Sequence, residues 1–417
     1  MAREIRKLTA ADIESYLEVY LNAYPAFKAL DEECTENFRQ KFLFQLREDK
    51  DVEAVGLFDD GVLLATMKIV KFDMNLYGKM QRAYGLMSLA VHPLHKKKGA
   101  ALEMIRYIEA YTREHDGLVL LLLPFRFDFY KNMGYGYGTR LDEYTIRTSG
   151  LPVMRDMSGL SMLGQEDVDE VLACYRSFAE RNHGCMDKYD EEVRDLRADT
   201  QVRRIGYRKD GKLVGYVAYR YVDGSEVNFT INRILVEELI YEDGACLRKL
   251  LGYLALQADL AQTITLRTGE PDFLHLLENP ADINDNYIPF GCLQTNVEAL
   301  GTMFKVMDPA AFVEATSYRP CGGQEITVAF TYTDMMDKEE KTFAVKAGGG
   351  SWAAADAAKA DVRITCTQAQ MSSILLGSAG IAALYRLGAI EVSDASKVPA
   401  ADLAFYTPQR PFSNNDY

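Results

Sequence analysis

Lys96-Lys97-Lys98, followed at once by Gly99-Ala100-Ala101, are the residues whose types and spacing most suit chemistry, because together they would seat an anion. An apolar run of strand length, Leu86 to Val91, precedes them, and Pro93 removes a backbone donor and closes that strand. Beyond the turn, Ala100 to Tyr111 places Leu102, Ile105, Ile108 and Ala110 on one helical face. The basic turn is therefore expected at a helix N-terminus. Unpaired N–H groups there, with the positive end of the helix dipole, favour a phosphate, and Gly99 lets the backbone approach without a Cβ in the way. A bare lysine triplet is ordinarily solvated surface; the strand before it and the helix start after it reverse that weighing.

The usual nucleotide loops are missing. No G-x-x-x-x-G-K-[ST] occurs, and Gly134-Tyr135-Gly136-Tyr137-Gly138 has the wrong spacing for G-x-G-x-x-G, which argues against ATP and NAD. The turn instead resembles the pyrophosphate motif [QR]-x-x-G-x-[GA] of the GNAT acyltransferases, with Lys96 in place of the usual first residue. A second buried-strand run, Leu118 to Leu123, leads to Phe129-Tyr130-Lys131-Asn132-Met133-Gly134-Tyr135, which resembles that family's closing motif F-Y-x-x-x-G-[YF].

At 417 residues the chain exceeds one domain of ~100–200 residues. From about Leu151, helical patterns (Glu166 to Glu180, Glu191 to Asp199) lead to a hairpin, Arg204 to Tyr207 and Leu213 to Tyr221. A strand (Asn232 to Glu237), a helix (Ala245 to Gln257) and a strand (Thr263 to Arg267) follow. This repeats the β–turn–α–β order of the first part, yet the equivalent turn, Leu239 to Ala245, is acidic, so the second unit reads as a degenerate copy that binds no pyrophosphate. Pro280 to Pro289 reads as a linker. After Val306-Met307-Asp308 come strands (Ile326 to Tyr332, Thr342 to Ala347, Asp361 to Thr367) and a helical stretch, Ser372 to Leu387.

That order resembles the Eis-type acetyltransferases, in which tandem GNAT units are closed by a sterol-carrier-protein-like domain. The resemblance implies an α+β to α/β architecture: two mixed sheets flanked by helices, then a third α/β domain. The expected domains are 1–148 (catalytic), 149–290 (degenerate) and 291–417.

Composition fits a cytoplasmic enzyme. Seven scattered cysteines without C-x-x-C argue against a disulfide framework and a zinc site. Met1 to Lys7 runs into a polar amphipathic helix rather than a signal peptide, and Gly117 to Pro124 is too short to span a bilayer. A net charge of −14 weighs against nucleic acid and anionic membranes as partners and suits a cationic substrate, although acidity also simply keeps proteins soluble. His92 and His95, beside three lysines, read as solvated rather than as metal ligands, so no metal is expected.

Acetyl transfer to an amine needs a neutral nucleophile, an oxyanion donor and a proton for the departing thiolate. By resemblance, the acetyl-CoA contacts are Leu89, Ala90 and Val91, on a splayed strand with a bulge that frees backbone N–H groups. Lys97, Lys98, Gly99, Ala100, Ala101 and Leu102 follow around the pyrophosphate, with Lys96 a weaker candidate, and then Phe125 and Arg126. Tyr130 is the implied general acid, although a tyrosine among Phe127, Phe129, Tyr135 and Tyr137 would more often be core. The implied general base is the C-terminal carboxylate, here of Tyr417, with Asp416 beside it as a second negative charge; most chain ends simply fray. The implied acceptors are aminoglycosides, modified at one or several amines, and the implied assembly is a homohexamer. Other readings are acetylation of a protein lysine or a small metabolic amine, or a lipid- or ligand-binding protein with a vestigial acetyltransferase unit.

Overall fold

Four strands, β1 (Glu4–Lys7), β2 (Val52–Asp59), β3 (Val62–Leu76) and β4 (Lys79–Val91), are successive antiparallel neighbours in the computed structural model, which describes residues 3–24, 31–284, 286–288 and 291–413. Asp60-Gly61 and Tyr77-Gly78 turn the two tight hairpins, each with positive φ at both residues, the handedness that matches strand twist. Helices α1 (Ile13–Ala23) and α2 (Glu32–Glu48) lie between β1 and β2. After β4, helix α3 (Ala100–Glu114) crosses to β5 (Val119–Leu122), which pairs parallel with β4. The short helix α4 (Phe127–Lys131) then leads to the edge strand β6 (Gly136–Tyr137).

The strand between β5 and β6 comes from far along the chain. Met303–Val306 pairs antiparallel with both and completes a seven-stranded sheet. Conversely β7 (Arg140–Arg147) leaves the first sheet for the second, where it lies between β12 (Ala261–Thr268) and Val297–Leu300. The rest of that sheet is β8 (Leu160–Leu163), β9 (Arg203–Lys209), β10 (Lys212–Asp223) and β11 (Asn232–Tyr241), with α5 (Val168–Ala179), α6 (Asp190–Ala198) and the crossover helix α7 (Gly244–Ala255). The sheets therefore do not divide at a single point in the sequence. A five-stranded sheet built on Ile326–Thr333 completes the fold.

One face of the first sheet buries Val55, Met67 and Ile69 against Met104, Ile105 and Ile108 of α3. The other face joins Val70, Phe72 and Leu121 to Phe330, Trp352 and Ile374 of the C-terminal unit. The contact is close enough that a Cβ on Gly136 would meet the Ala369 carbonyl at 2.2 Å.

Some expected elements differ. The single helix expected over Ser372 to Leu387 is two, Gln368–Leu375 and Ile381–Arg386, broken where Gly377 takes φ +75° beneath the Thr407 side chain. The N-terminus forms an edge strand before its helix, because the backbone of Glu4–Lys7 completes the open side of β2. The expected linker is partly tied down: Ile283 N–H donates to the Thr145 carbonyl at 3.0 Å.

Candidate active site

Pairing between β4 and β5 stops at Leu86 and Leu122, while β4 continues to Val91. On its other side β4 carries one extra residue against β3: Lys68 opposes Met87 while Thr66 opposes Ala90. Ser88 lies within the bulge at φ +56°, and such a bulge turns backbone groups away from the ladder. The Tyr24 hydroxyl donates to the Leu89 carbonyl at 3.1 Å, tying the end of α1 to this point. The strand thus opens a V toward β5, where an extended ligand with amide groups can lie between two backbones.

At the end of the V stands the basic turn. Lys97 and Gly99 both have positive φ, +62° and +86°, which swing the chain into α3 with Gly99 as N-cap. No side chain caps this helix, so its first N–H groups face outward beside exposed Lys96, Lys97 and Lys98. A Cβ on Gly99 would have only Glu103 Oε1 near it, at 3.7 Å, so the glycine answers the backbone conformation rather than crowding. The geometry is that of an anion seat.

A cavity of about 480 Å³ opens where the strands part, and Leu89, Phe125 and Tyr130 line it together. Tyr130 is 2% exposed and held edge-on by Phe125, Phe129 and Tyr135, with ring centroids 5.0–5.9 Å apart. Burial raises its phenol above the ordinary range, which keeps the proton on and makes the group a donor. Ala100 is buried under the helix start and Ala90 in the core beside α1, so their side chains pack and only their backbone can meet a ligand. Ala101, Leu102 and Val91 lie on the same strand–turn–helix path. Arg126 does not reach this cavity; it pairs with Asp128 and lines, with Leu102, a smaller neighbouring space of about 290 Å³. Tyr417 and Asp416 lie outside the described residues.

The second unit supplies the opposite wall of the larger cavity. Glu191, Glu192 and Asp195 come from α6, facing Tyr20 of α1 and Lys41 of α2. The Glu191 carboxylate accepts from Lys41 Nζ and Gln45 Nε2, both at 2.6 Å. Burial works to raise its pKa, and Lys41, with Lys68 and Gln45, outweighs it and holds the group below its usual range. Lys68, in the middle of β3, forms part of the cavity lining while only 3% exposed.

Comparison with known families bears on this geometry. Residues 4–138 match the family model of the acetyltransferase (GNAT) domain, residues 178–293 match a second acetyltransferase (GNAT) model, and residues 309–414 match the sterol carrier protein domain. The two acetyltransferase models between them span more than half of the chain. The chain belongs to the GNAT acetyltransferases. Its whole fold is shared with Eis1 from Mycobacterium abscessus (19% identity, TM-score 0.77) and with a probable N-acyltransferase of unknown function from Enterococcus faecalis V583 (17%, 0.79), all of both chains being covered. It is shared as well with a GCN5-related N-acetyltransferase from Kribbella flavida (16%, 0.77; all of this chain and 98% of that one). No curated protein matches the chain.

Within this acetyltransferase the two units differ at the helix that could seat a phosphate. In the second, Asp243 caps α7, accepting from the N–H groups of Ala245 and Cys246 at 2.9 and 2.8 Å. A carboxylate already fills the place an anion would take. Sequence reasoning missed the cavity residues Tyr20, Lys41, Lys68 and Glu191, because three separate elements of the first unit and one of the second bring them together. One signal was available: a lysine between Met67 and Ile69 in the stretch Val62 to Val70, which is otherwise apolar but for Thr66. Among the described residues no cluster suits a metal ion, and no helix is long and apolar enough to cross a membrane.

Proposed function

We propose that this acetyltransferase uses acetyl-CoA and transfers the acetyl group to an amine by direct attack on the thioester. The observation that carries the reading is the opening of β4 from β5 at Leu86, with the bulge at Ser88 and an uncapped, lysine-flanked helix N-terminus beyond it. In this reading the backbone of Leu89 to Val91 meets the pantetheine amides and polarises the thioester carbonyl. Lys97, Lys98 and the N–H groups from Gly99 to Leu102 hold the pyrophosphate, with Lys96 adding attraction, and Phe125 and Arg126 flank the cofactor.

The amine attacks the carbonyl carbon, the C–S bond breaks, and the thiolate takes the proton of Tyr130, which burial keeps protonated until that step. The C-terminal carboxylate of Tyr417 is the proposed base that relieves the amine of its proton. The acidic side chains of α6 on the cavity wall suit a cationic acceptor, and aminoglycosides are the class that the Eis-type resemblance implies. A small metabolic amine is the second reading, favoured by Lys68 on the same cavity. A cytoplasmic homohexamer goes with the resemblance; the free state of all seven cysteines agrees with a reducing compartment.

Acetyl-CoA-dependent thiol release with aminoglycosides, polyamines and lysine peptides tests the reading. Turnover that is lost in Lys97→Glu/Lys98→Glu along with acetyl-CoA binding supports it. Unchanged acetyl-CoA binding in that variant overturns the cofactor assignment.

A further inference from the structure

Lys68 is a costly residue where it stands. Its side chain rises from the centre of β3 on the side of α1 and α2, with Nζ 4.7 Å from the Phe42 ring centroid and 5.9 Å from that of Tyr20. Among the described residues no hydrogen bond or ion pair reaches this ammonium, although the residue as a whole is only 3% exposed. Glu191, the acid that most favours the charged form of Lys68, is already engaged by Lys41 and Gln45 at 2.6 Å each. Aromatic faces offset only part of the desolvation of a buried ammonium. A methionine would fill the same space without that cost.

The position gives the charge a use. Lys68 Cα stands opposite Met87, next to Ser88 in the bulge, and the side chain lines the cavity that also holds Tyr130 and Leu89. Glu192, whose carboxylate also accepts from the Tyr189 N–H at 3.2 Å, and Asp195 line the same space. A cation and a pair of acids thus face one volume beside the proposed thioester position.

We infer that the acceptor is an amine that also carries a carboxylate, and that Lys68 is the counter-ion for that carboxylate. The acids of α6 hold the amine end of such a zwitterion near the bulge while Lys68 fixes the other end. Lys68 is a specificity residue in this account and takes no part in bond making. The inference rests on the proposed acetyl-CoA-dependent transfer to an amine in this cavity, and within it favours a small metabolic amine over the aminoglycosides, which carry no carboxylate.

Paired acceptors test it: L-lysine against cadaverine, and L-ornithine against putrescine, each pair differing only in the carboxylate. With the full chain and acetyl-CoA, the carboxylate-bearing member is expected to have the higher kcat/KM by about 10- to 100-fold, the range for a charge-assisted hydrogen bond. Lys68→Met should abolish that ratio through KM, and Lys68→Arg should retain much of it. Calorimetric titration of the same pairs into the CoA-bound protein gives the comparison where turnover is slow. Preference for the diamines, an equal loss for both members in Lys68→Met, or no binding of either member while acetyl-CoA binds would overturn the inference. Failure of acetyl-CoA itself to bind is distinct, and would overturn the underlying reading instead.

Discussion

Lys305 and Glu109, 196 residues apart, form an ion pair of 2.7 Å inside the first unit, each side chain no more than 3% exposed. Lys305 lies on the strand that the C-terminal part of the chain inserts between β5 and β6, and Glu109 lies on α3, the helix whose N-terminus forms the anion seat. Nζ also donates to the Met133 carbonyl at 2.9 Å, just beyond the Tyr130 helix. The inserted strand is thereby fixed to both elements that frame the proposed cofactor site. Burial pushes the carboxyl of Glu109 up and the ammonium of Lys305 down, and each partner offsets part of the other's cost.

Removing one partner should therefore be worse than removing both. Lys305→Met is expected to cost about 3–5 kcal/mol, because it leaves a buried carboxylate unpaired, and the double change Lys305→Met/Glu109→Leu should recover most of that loss. Urea unfolding of the three variants and the parent measures it; a loss in the double variant equal to the sum of the two single losses would show that the pair is not coupled.

A chain ended at residue 300 would lack the strand that separates β5 from β6. Such a truncation is expected to give no cooperative thermal transition for the first unit by circular dichroism. A sharp transition with acetyl-CoA binding would show that the sheet closes without it.

At the basic turn, charge reversal and backbone strain should separate. Lys97→Glu/Lys98→Glu is expected to weaken acetyl-CoA binding by about tenfold or more in low salt, and less as salt screens the site. Gly99→Ala places a Cβ at φ +86° with room around it, so its effect should be a stability loss of about 1 kcal/mol and a smaller loss of affinity. Calorimetry and thermal melts of the two variants distinguish these causes.

Tyr130→Phe keeps the ring packing against Phe125, Phe129 and Tyr135 and removes only the proton. The expected result is a fall in kcat of about 10²- to 10⁴-fold, with the melting temperature retained. Because burial raises this phenol, kcat should show no loss from its ionisation between pH 7 and about 9. A variant of undiminished kcat would remove Tyr130 from the chemistry.

Burial lowers the Lys68 ammonium to about 8, against 10.5 when unfolded. A depressed lysine is a stability cost that is complete below the folded pKa and fades as pH rises toward the unfolded one. Lys68→Met should thus be more stable than the parent by about 1–3 kcal/mol at pH 7, the gap narrowing from pH 8 to 10. Affinity for a carboxylate-bearing acceptor should fall over the same rise as the ammonium loses its proton. Denaturant titrations at several pH values, beside KM, check both trends.

The local signals in the sequence were strong for the proposed cofactor side. An apolar strand, a proline, a lysine turn and a left-handed glycine before an amphipathic helix are contiguous, and contiguous residues carry their own geometry: Leu86 to Tyr111 folds as that pattern requires. The Phe129 to Tyr135 motif likewise lies on one short helix and turn. The sequence also distinguished the basic turn of the first unit from the acidic turn of the second, where Asp243 indeed occupies the helix end. The tertiary structure alone decided the cavity proposed for the acceptor and the sheet order. Met303–Val306, four residues with Lys305 among them, is too short to announce which sheet it joins. Lys68, Lys41 and Glu191 become one site only when β3, α2 and α6 meet, and the burial that gives Lys68 its meaning is a property of that meeting rather than of any window of sequence.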